Sequence, residues 1–203
     1  FGFIKSHSSY VSMFNNWFTT LNNTAGYIYI IRDPRDVAIS WAKHANLSYD
    51  DSISFMLNFH SCIEWAQTNS ELPDKIKPKT FLSSWDEHVL SWTNNNLEVP
   101  KLVLKYEDLV YEKEDVIKII FNFFEKNFKI KFNSDDEKIA NIVESTSFKK
   151  LKSQEIKNGF VEASSGAFFR KGEKNQWKNE LNVQQIGRLE NKFRDFIKKF
   201  SYD

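Results

Sequence analysis

Arg32 and Ser40 stand eight residues apart in "YIYIIRDPRDVAISWAKH", residues 27 to 44. The arginine follows a run of five β-formers, and the serine lies about two turns into the helix that Asp33-Pro34 starts. Arginine offers a planar fork of donors suited to a phosphate. The helix N-terminus adds partial positive charge, and the serine side chain tilts back toward that end. All three can face one anion. Equally, Arg32 can pair with Asp33 or Asp36 and leave Ser40 to solvent, because arginine–aspartate clusters are common at helix starts. A second segment, "FFRKGEKNQWKNEL" at 168–181, adds weight to the anion reading. Arg170 and Lys171 set two cations beside Gly172, whose missing Cβ lets backbone approach a ligand closely. Lys174 and Lys178 extend the charge, and Trp177 can pin the loop to the body. Taken alone, it is also compatible with a solvated basic turn before the last helix.

These residues need strands and helices to position them. Three β-rich runs stand out at 1–5, 27–31 and 101–106, and the last two are nearly continuous in apolar or β-branched residues. That texture predicts strands covered on both faces in a parallel sheet. Helical spacing recurs at 34–45, 51–69, 84–94, 112–127, 135–145 and 182–200. In 34–45, Val37, Ala38, Trp41 and Ala45 share one face, and Asp36, Ser40 and Lys43 the other. Strands alternating with helices predict an α/β fold, a three-layer parallel sheet flanked by helices, with ligands at the carboxyl ends of the strands. Residues 1–203 read as a single domain. The polar stretch 151–175 holds three of the six glycines and has no period, which predicts a functional loop.

Composition narrows the classes. Lys+Arg 28 against Asp+Glu 27 leaves a formal charge of +1, unlike the basic surface that nonspecific nucleic-acid binding needs. Cys62 is the only cysteine, so no intrachain disulfide forms, CxxC metal chemistry is excluded, and a reducing, cytoplasmic setting fits. No apolar run approaches the roughly 18–20 residues of a membrane span. The chain opens on Phe1 in the middle of an apolar run, which suggests a fragment missing its beginning.

The two basic segments together resemble those of a sulfotransferase of the cytosolic type, which uses 3′-phosphoadenosine 5′-phosphosulfate as donor. "RDPRDVAIS" matches the family's strand-end arginine and the serine eight positions on, which hold the 3′-phosphate. "RKGEKNQWK" resembles the family's "RKGxxGDWK", with Arg170, Lys171, Gly172, Trp177 and Lys178 in place and Asn175 where the second glycine stands. Asparagine also tolerates left-handed backbone. "VLKYEDL" and "ESTSFKKL" resemble the elements that would bring Tyr106, Thr146 and Phe148 to the adenine, where an aromatic ring stacks on a purine. "SSWDEHVLSW" resembles a further segment, to which packing is assigned. "FIKSHSS" is similar to the family's "KTH" element, which implies His7 as general base and Lys5 as the cation on the reacting sulfuryl group. Imidazole suits that task because its ordinary pKa lies near neutrality. His44, His60 and His88 are read as structural.

The resemblance implies a P-loop NTPase-like sulfotransferase fold lacking its first strand and phosphosulfate loop, and no metal. A "YPKSGTTW"-type loop is expected before everything seen here. The nearest string, "KPKTFLSSW" at 77–85, has no glycine and reads as a loop leading into the helix around Trp85. With a preceding segment the domain should be active, and without one impaired or silent. Two functions therefore stand: in-line sulfuryl transfer to a hydroxyl or amine, and an inactive nucleotide-binding remnant keeping the 3′-phosphate site. A kinase-like P-loop enzyme is disfavoured by the missing GxxxxGK[ST]. The acceptor, whether carbohydrate, lipid, small phenol or peptide tyrosine, and the oligomeric state are unreadable. Phe55, Phe59, Phe160 and Phe168 are candidates for an acceptor pocket or for the core.

Overall fold

Capping chemistry and β-branched runs set most of the element boundaries. The structure, a computed structural model, describes residues 2–64, 79–132, 135–160, 162–163 and 166–202. In chain order the first elements are β1 (Ser12–Met13), β2 (Asn16–Trp17), β3 (Tyr27–Ile31), α1 (Pro34–Ala45) and α2 (Tyr49–Leu57). Next come β4 (Cys62–Glu64), β5 (Lys79–Phe81), α3 (Trp85–Thr93), β6 (Lys101–Lys105) and α4 (Tyr106–Tyr111). The last are α5 (Lys113–Phe128), α6 (Asp136–Ser145), α7 (Phe148–Asn158), α8 (Trp177–Glu180) and α9 (Val183–Lys199).

β3 and β6 pair in parallel, from Tyr27 opposite Lys101 to Ile31 opposite Lys105. Both β-rich runs thus form strands, and their carboxyl ends lie side by side where β3 hands over to α1 and β6 to α4. Among the described residues the other pairs, β1 with β2 and β4 with β5, are antiparallel. Of the expected parallel sheet flanked by helices, the parallel pairing among the described residues is β3 with β6. Residues 2–5 are not a strand, and Phe1 lies outside the described residues. Consecutive Phe3 and Ile4 are 84% and 92% exposed, so neither face of that run is buried, and burial of a face is what fixes a strand's register.

Three further expectations are corrected. The helix begun near 51 ends at Leu57 because Asn58 is extended, and the chain turns into β4; residues 65–69 lie outside the described residues. Within 77–85, residues 79–81 form β5, and 77–78 lie outside the described residues. Residues 151–158, read as loop, belong to α7. Its helix is set by capping: Ser147 accepts from the Lys150 amide, and a buried Glu155 accepts from the amides of Phe168 and Phe169. Such a helix carries little apolar period to read.

The core lies between α1, α2 and α9: Ala38 and Ile39 meet Ile53 and Met56 on one side and Leu189, Phe193 and Ile197 on the other. α9 starts with a reciprocal capping box between Asn182 and Gln185. The inward face of α1 is Arg35, Ala38, Ile39 and Ala42, with Val37, Trp41 and Ala45 only half-buried. Asp36, expected on the outer polar face, is buried. What covers it is the basic loop.

Candidate functional site

The start of α1 distributes its charges clearly. Asp33 caps the helix by accepting from the Arg35 amide at 2.8 Å, and its carboxylate pairs with the Arg35 guanidinium at 2.8 Å. Arg35 also reaches Glu190 at 2.7 Å, donates to the Tyr202 carbonyl, and lies 3.9 Å over the Trp177 ring. Asp36 accepts from the Asn175 amide at 2.7 Å and the Trp177 amide at 3.1 Å. Burial pushes the Asp36 carboxyl up, while those amides and the Arg32 charge pull it down. Both aspartates that might have held Arg32 are thus occupied by other groups.

Arg32 itself lies 4.4 Å over the Tyr106 ring and donates to the Glu173 carbonyl at 3.2 Å. Its buried Nε has no hydrogen-bond partner. The Asp33 amide donates to Glu107 at 3.2 Å, tying the two strand tips together. The loop beyond is shaped by left-handed residues: Gly172 at φ 67° and Asn175 at φ 61°. A Cβ on Gly172 would come within 2.5 Å of the Phe148 ring. Arg32, Tyr106, Phe148 and the 172–177 loop are therefore brought together. Ser40 lies one turn beyond Asp36, half-buried. Lys171 pairs with Glu180 at 2.9 Å, and Arg170 and Lys171 both lie close enough to Tyr49 to act on its phenol. Thr146 is exposed, and its hydroxyl donates to the Ile142 carbonyl at 2.7 Å.

Lys5 and His7 are built differently. Residues 7–10 run without a ladder and are held by single bonds to β5 and α3. The Ser9 amide donates to the Phe81 carbonyl at 2.9 Å, Trp92 Nε1 to the Ser8 carbonyl at 2.9 Å, and the Tyr10 amide to Ser91 Oγ at 3.0 Å. His88 Nε2 donates to the His7 carbonyl at 3.1 Å, which leaves Nδ1 to accept from the Tyr29 hydroxyl at 2.9 Å. Burial keeps the His88 imidazole below its ordinary pKa and the Tyr29 phenol well above its own. Desolvation, then Lys5, holds the His7 imidazole down, Glu162 opposes this, and His44 adds to the depression. Lys5 Nζ meets both Glu162 oxygens, at 2.5 and 2.6 Å. The Trp41 ring lies 5.6 Å from His44 and stacks on Phe55, and Phe168 meets the histidine edge-on at 6.1 Å.

The sequence pattern of the sulfotransferase domain matches residues 2–201. The chain belongs to the sulfotransferase domain family. Among similar proteins, the rabbit (Oryctolagus cuniculus) amine sulfotransferase is 27% identical over 191 residues, covering 88% of this chain and 56% of the relative. Sulfotransferase 1B1 of Mus musculus is 29% identical over 170 residues, covering 80% of this chain and 51% of the relative. The chain thus spans little more than half the length of these relatives. Mouse sulfotransferase SULT7A1, solved in complex with PAP, superposes with a TM-score of 0.60 at 24% identity, over 84% of this chain and 58% of that one. Retinol dehydratase, solved with androsterone and inactive cofactor PAP, gives 0.57 at 23% identity, over 84% and 47%. The sulfotransferase fold is shared with both.

Within this sulfotransferase domain, three residues carry site geometry that sequence reading gave to other roles or passed over. Asp36 anchors the basic loop, His88 anchors the His7 backbone, and Glu162 anchors Lys5. Asp36 had only the signal of an acidic residue in the first turn after a cap, which does not foretell its burial under the loop. The other two act across 81 and 157 residues of chain and leave none.

Proposed function

We propose that this domain binds 3′-phosphoadenosine 5′-phosphosulfate and takes part in moving its sulfuryl group to a hydroxyl or amine acceptor. The observation that carries the reading is the buried, unpartnered Nε of Arg32 at the β3 tip, facing a loop that Asp36 fixes from behind. A guanidinium that keeps one nitrogen without a hydrogen-bond partner beside a helix start is suited to an anion. Arg32, Ser40, Arg170, Lys171 and Gly172 are assigned to the 3′-phosphate, and Tyr106, Thr146 and Phe148 to the adenine. Phe148 would have to keep its ring against Gly172 while stacking. Thr146 would reach the base only by giving up its bond to Ile142.

At the transfer side, His7 accepts the acceptor's proton as the new bond forms from sulfur to the acceptor's oxygen or nitrogen. The bond from sulfur to the donor's 5′-phosphate oxygen breaks, and that oxygen leaves with the electron pair. Lys5 neutralises charge on the sulfuryl oxygens in between. The depressed His7 imidazole is neutral at physiological pH, as a base must be. Phe55 and Phe168, set around Trp41 and His44 next to His7, are assigned to the acceptor wall, and the cytoplasm is the proposed setting.

Calorimetric titration of the chain with 3′-phosphoadenosine 5′-phosphate, with ADP and 5′-AMP as controls, tests the reading. Binding that depends on the 3′-phosphate, and is lost selectively in Arg32→Ala and Arg170→Ala, is the expected result. Equal weakening for 5′-AMP would show that these residues face a different phosphate.

A further inference from the structure

Glu162 stands outside every motif, yet it is the carboxylate that meets Lys5. Both of its oxygens lie within 2.6 Å of the ammonium, across 157 residues of chain. The lysine side chain is 60% exposed and sits on a segment with no ladder, so little else restrains its long stem. An ion pair that exposed contributes little to stability. Its position is what distinguishes it, because both members of the pair act on the His7 imidazole, as does His44, which Phe168 meets edge-on. Charged and titratable groups facing His7 include Lys5, Glu162 and His44, with His88 on its carbonyl.

We propose that Glu162 is a positioning residue of the transfer site: its carboxylate holds the Lys5 ammonium beside His7 and yields it to the sulfuryl oxygens when the donor binds. The inference rests on the sulfuryl-transfer reading. A sulfuryl group carries anionic oxygens that compete for the same ammonium. Once Lys5 has moved, the uncovered carboxylate faces an imidazole that is about to become cationic, and favours its uptake of the acceptor proton. One acidic residue thus serves both steps without touching either substrate.

Nuclear magnetic resonance on the labelled chain tests this directly. In Glu162→Gln the Lys5 side-chain amine resonance should move to the position of a solvated lysine. The His7 titration midpoint should shift to lower pH by more than those of His44 and His88, and Glu162→Asp should restore both. Lys5→Met and Glu162→Gln should act non-additively on His7. Addition of 3′-phosphoadenosine 5′-phosphosulfate without acceptor should move the Lys5 resonance in the wild type, whereas 3′-phosphoadenosine 5′-phosphate should not. A His7 midpoint unchanged by Glu162→Gln, or additive effects, overturns the inference while nucleotide binding stands. Absence of 3′-phosphate-dependent binding overturns the sulfuryl-transfer reading, and this inference with it.

Discussion

The junction at residues 32–40 with its loop at 170–177, and the segment at 5–10 with its neighbour Glu162, are the two regions assigned to the proposed site, and they rest on different physics. The first hangs on buried charge: Asp36 is 1% exposed and holds two loop amides, and Arg35 is 3% exposed and ties the helix start to Glu190, Trp177 and the Tyr202 carbonyl. The second hangs on single bonds to α3 and β5 and on an exposed ion pair. Rigid positioning suits the recognition of a fixed phosphate, and a loosely held lysine suits a group that must follow a transferring one.

The largest test of that contrast is Arg35→Ala. Removing one partner of a buried pair leaves Asp33 uncompensated and costs about 3–5 kcal/mol. Urea denaturation should show a loss of that size, because the guanidinium joins α1 to α9 and to Trp177. Lys5→Ala, on the other side, should change stability by less than about 1 kcal/mol. Equal losses would erase the distinction between the two sides. Arg32→Ala, three residues from Arg35, should belong to neither class and weaken nucleotide binding with little change in the denaturation midpoint.

Gly172→Ala comes next. The new methyl would meet the Phe148 ring at 2.5 Å, and the backbone is at φ 67°, so the loop or the ring has to move. Overpacking of this kind costs about 1–3 kcal/mol. If the loop must keep its shape to meet the 3′-phosphate, affinity for 3′-phosphoadenosine 5′-phosphate should fall about tenfold to a hundredfold. Retained affinity in the calorimeter would mean that the loop adapts, and that the phosphate side is less rigid than its hydrogen bonds imply.

How legible the two sides are in the sequence follows the same division. Asp33-Pro34 and the apolar run before it place β3 and α1 without tertiary information, because a cap and a β-branched run are local. The basic loop is likewise legible at Gly172 and Asn175, whose backbones are left-handed as their types allow. The run at 1–5 looks like a strand by the same local rule, yet residues 2–5 are not one, since pairing depends on a neighbour that composition does not reveal. α7 was hidden because its stabilising contact, Glu155 to the amides of Phe168 and Phe169, is polar and distant. Glu162 and His88 were illegible as partners for the same reason.

The smallest effect expected is a pH dependence that separates the two sides. His7 and His88 both have imidazoles held below the ordinary value of 6.5, so the unfolded chain binds protons more readily than the folded one as pH falls. The stability they contribute is present above 6.5 and is lost as pH drops through their folded values. Asp36 and Glu107 are raised by burial, so their contribution has the opposite sign: it is present below 3.8 and 4.5 and fades as pH rises through the folded values. Acidification from pH 7.5 should therefore loosen the segment at 7–10 first. Hydrogen exchange should show the Ser9 and Tyr10 amides losing protection before those of Asn175 and Trp177, and His88→Gln, which keeps a neutral donor, should delay the change. Simultaneous loss at all four amides, or no effect of the substitution, would mean that the histidines on the transfer side do not set its acid response.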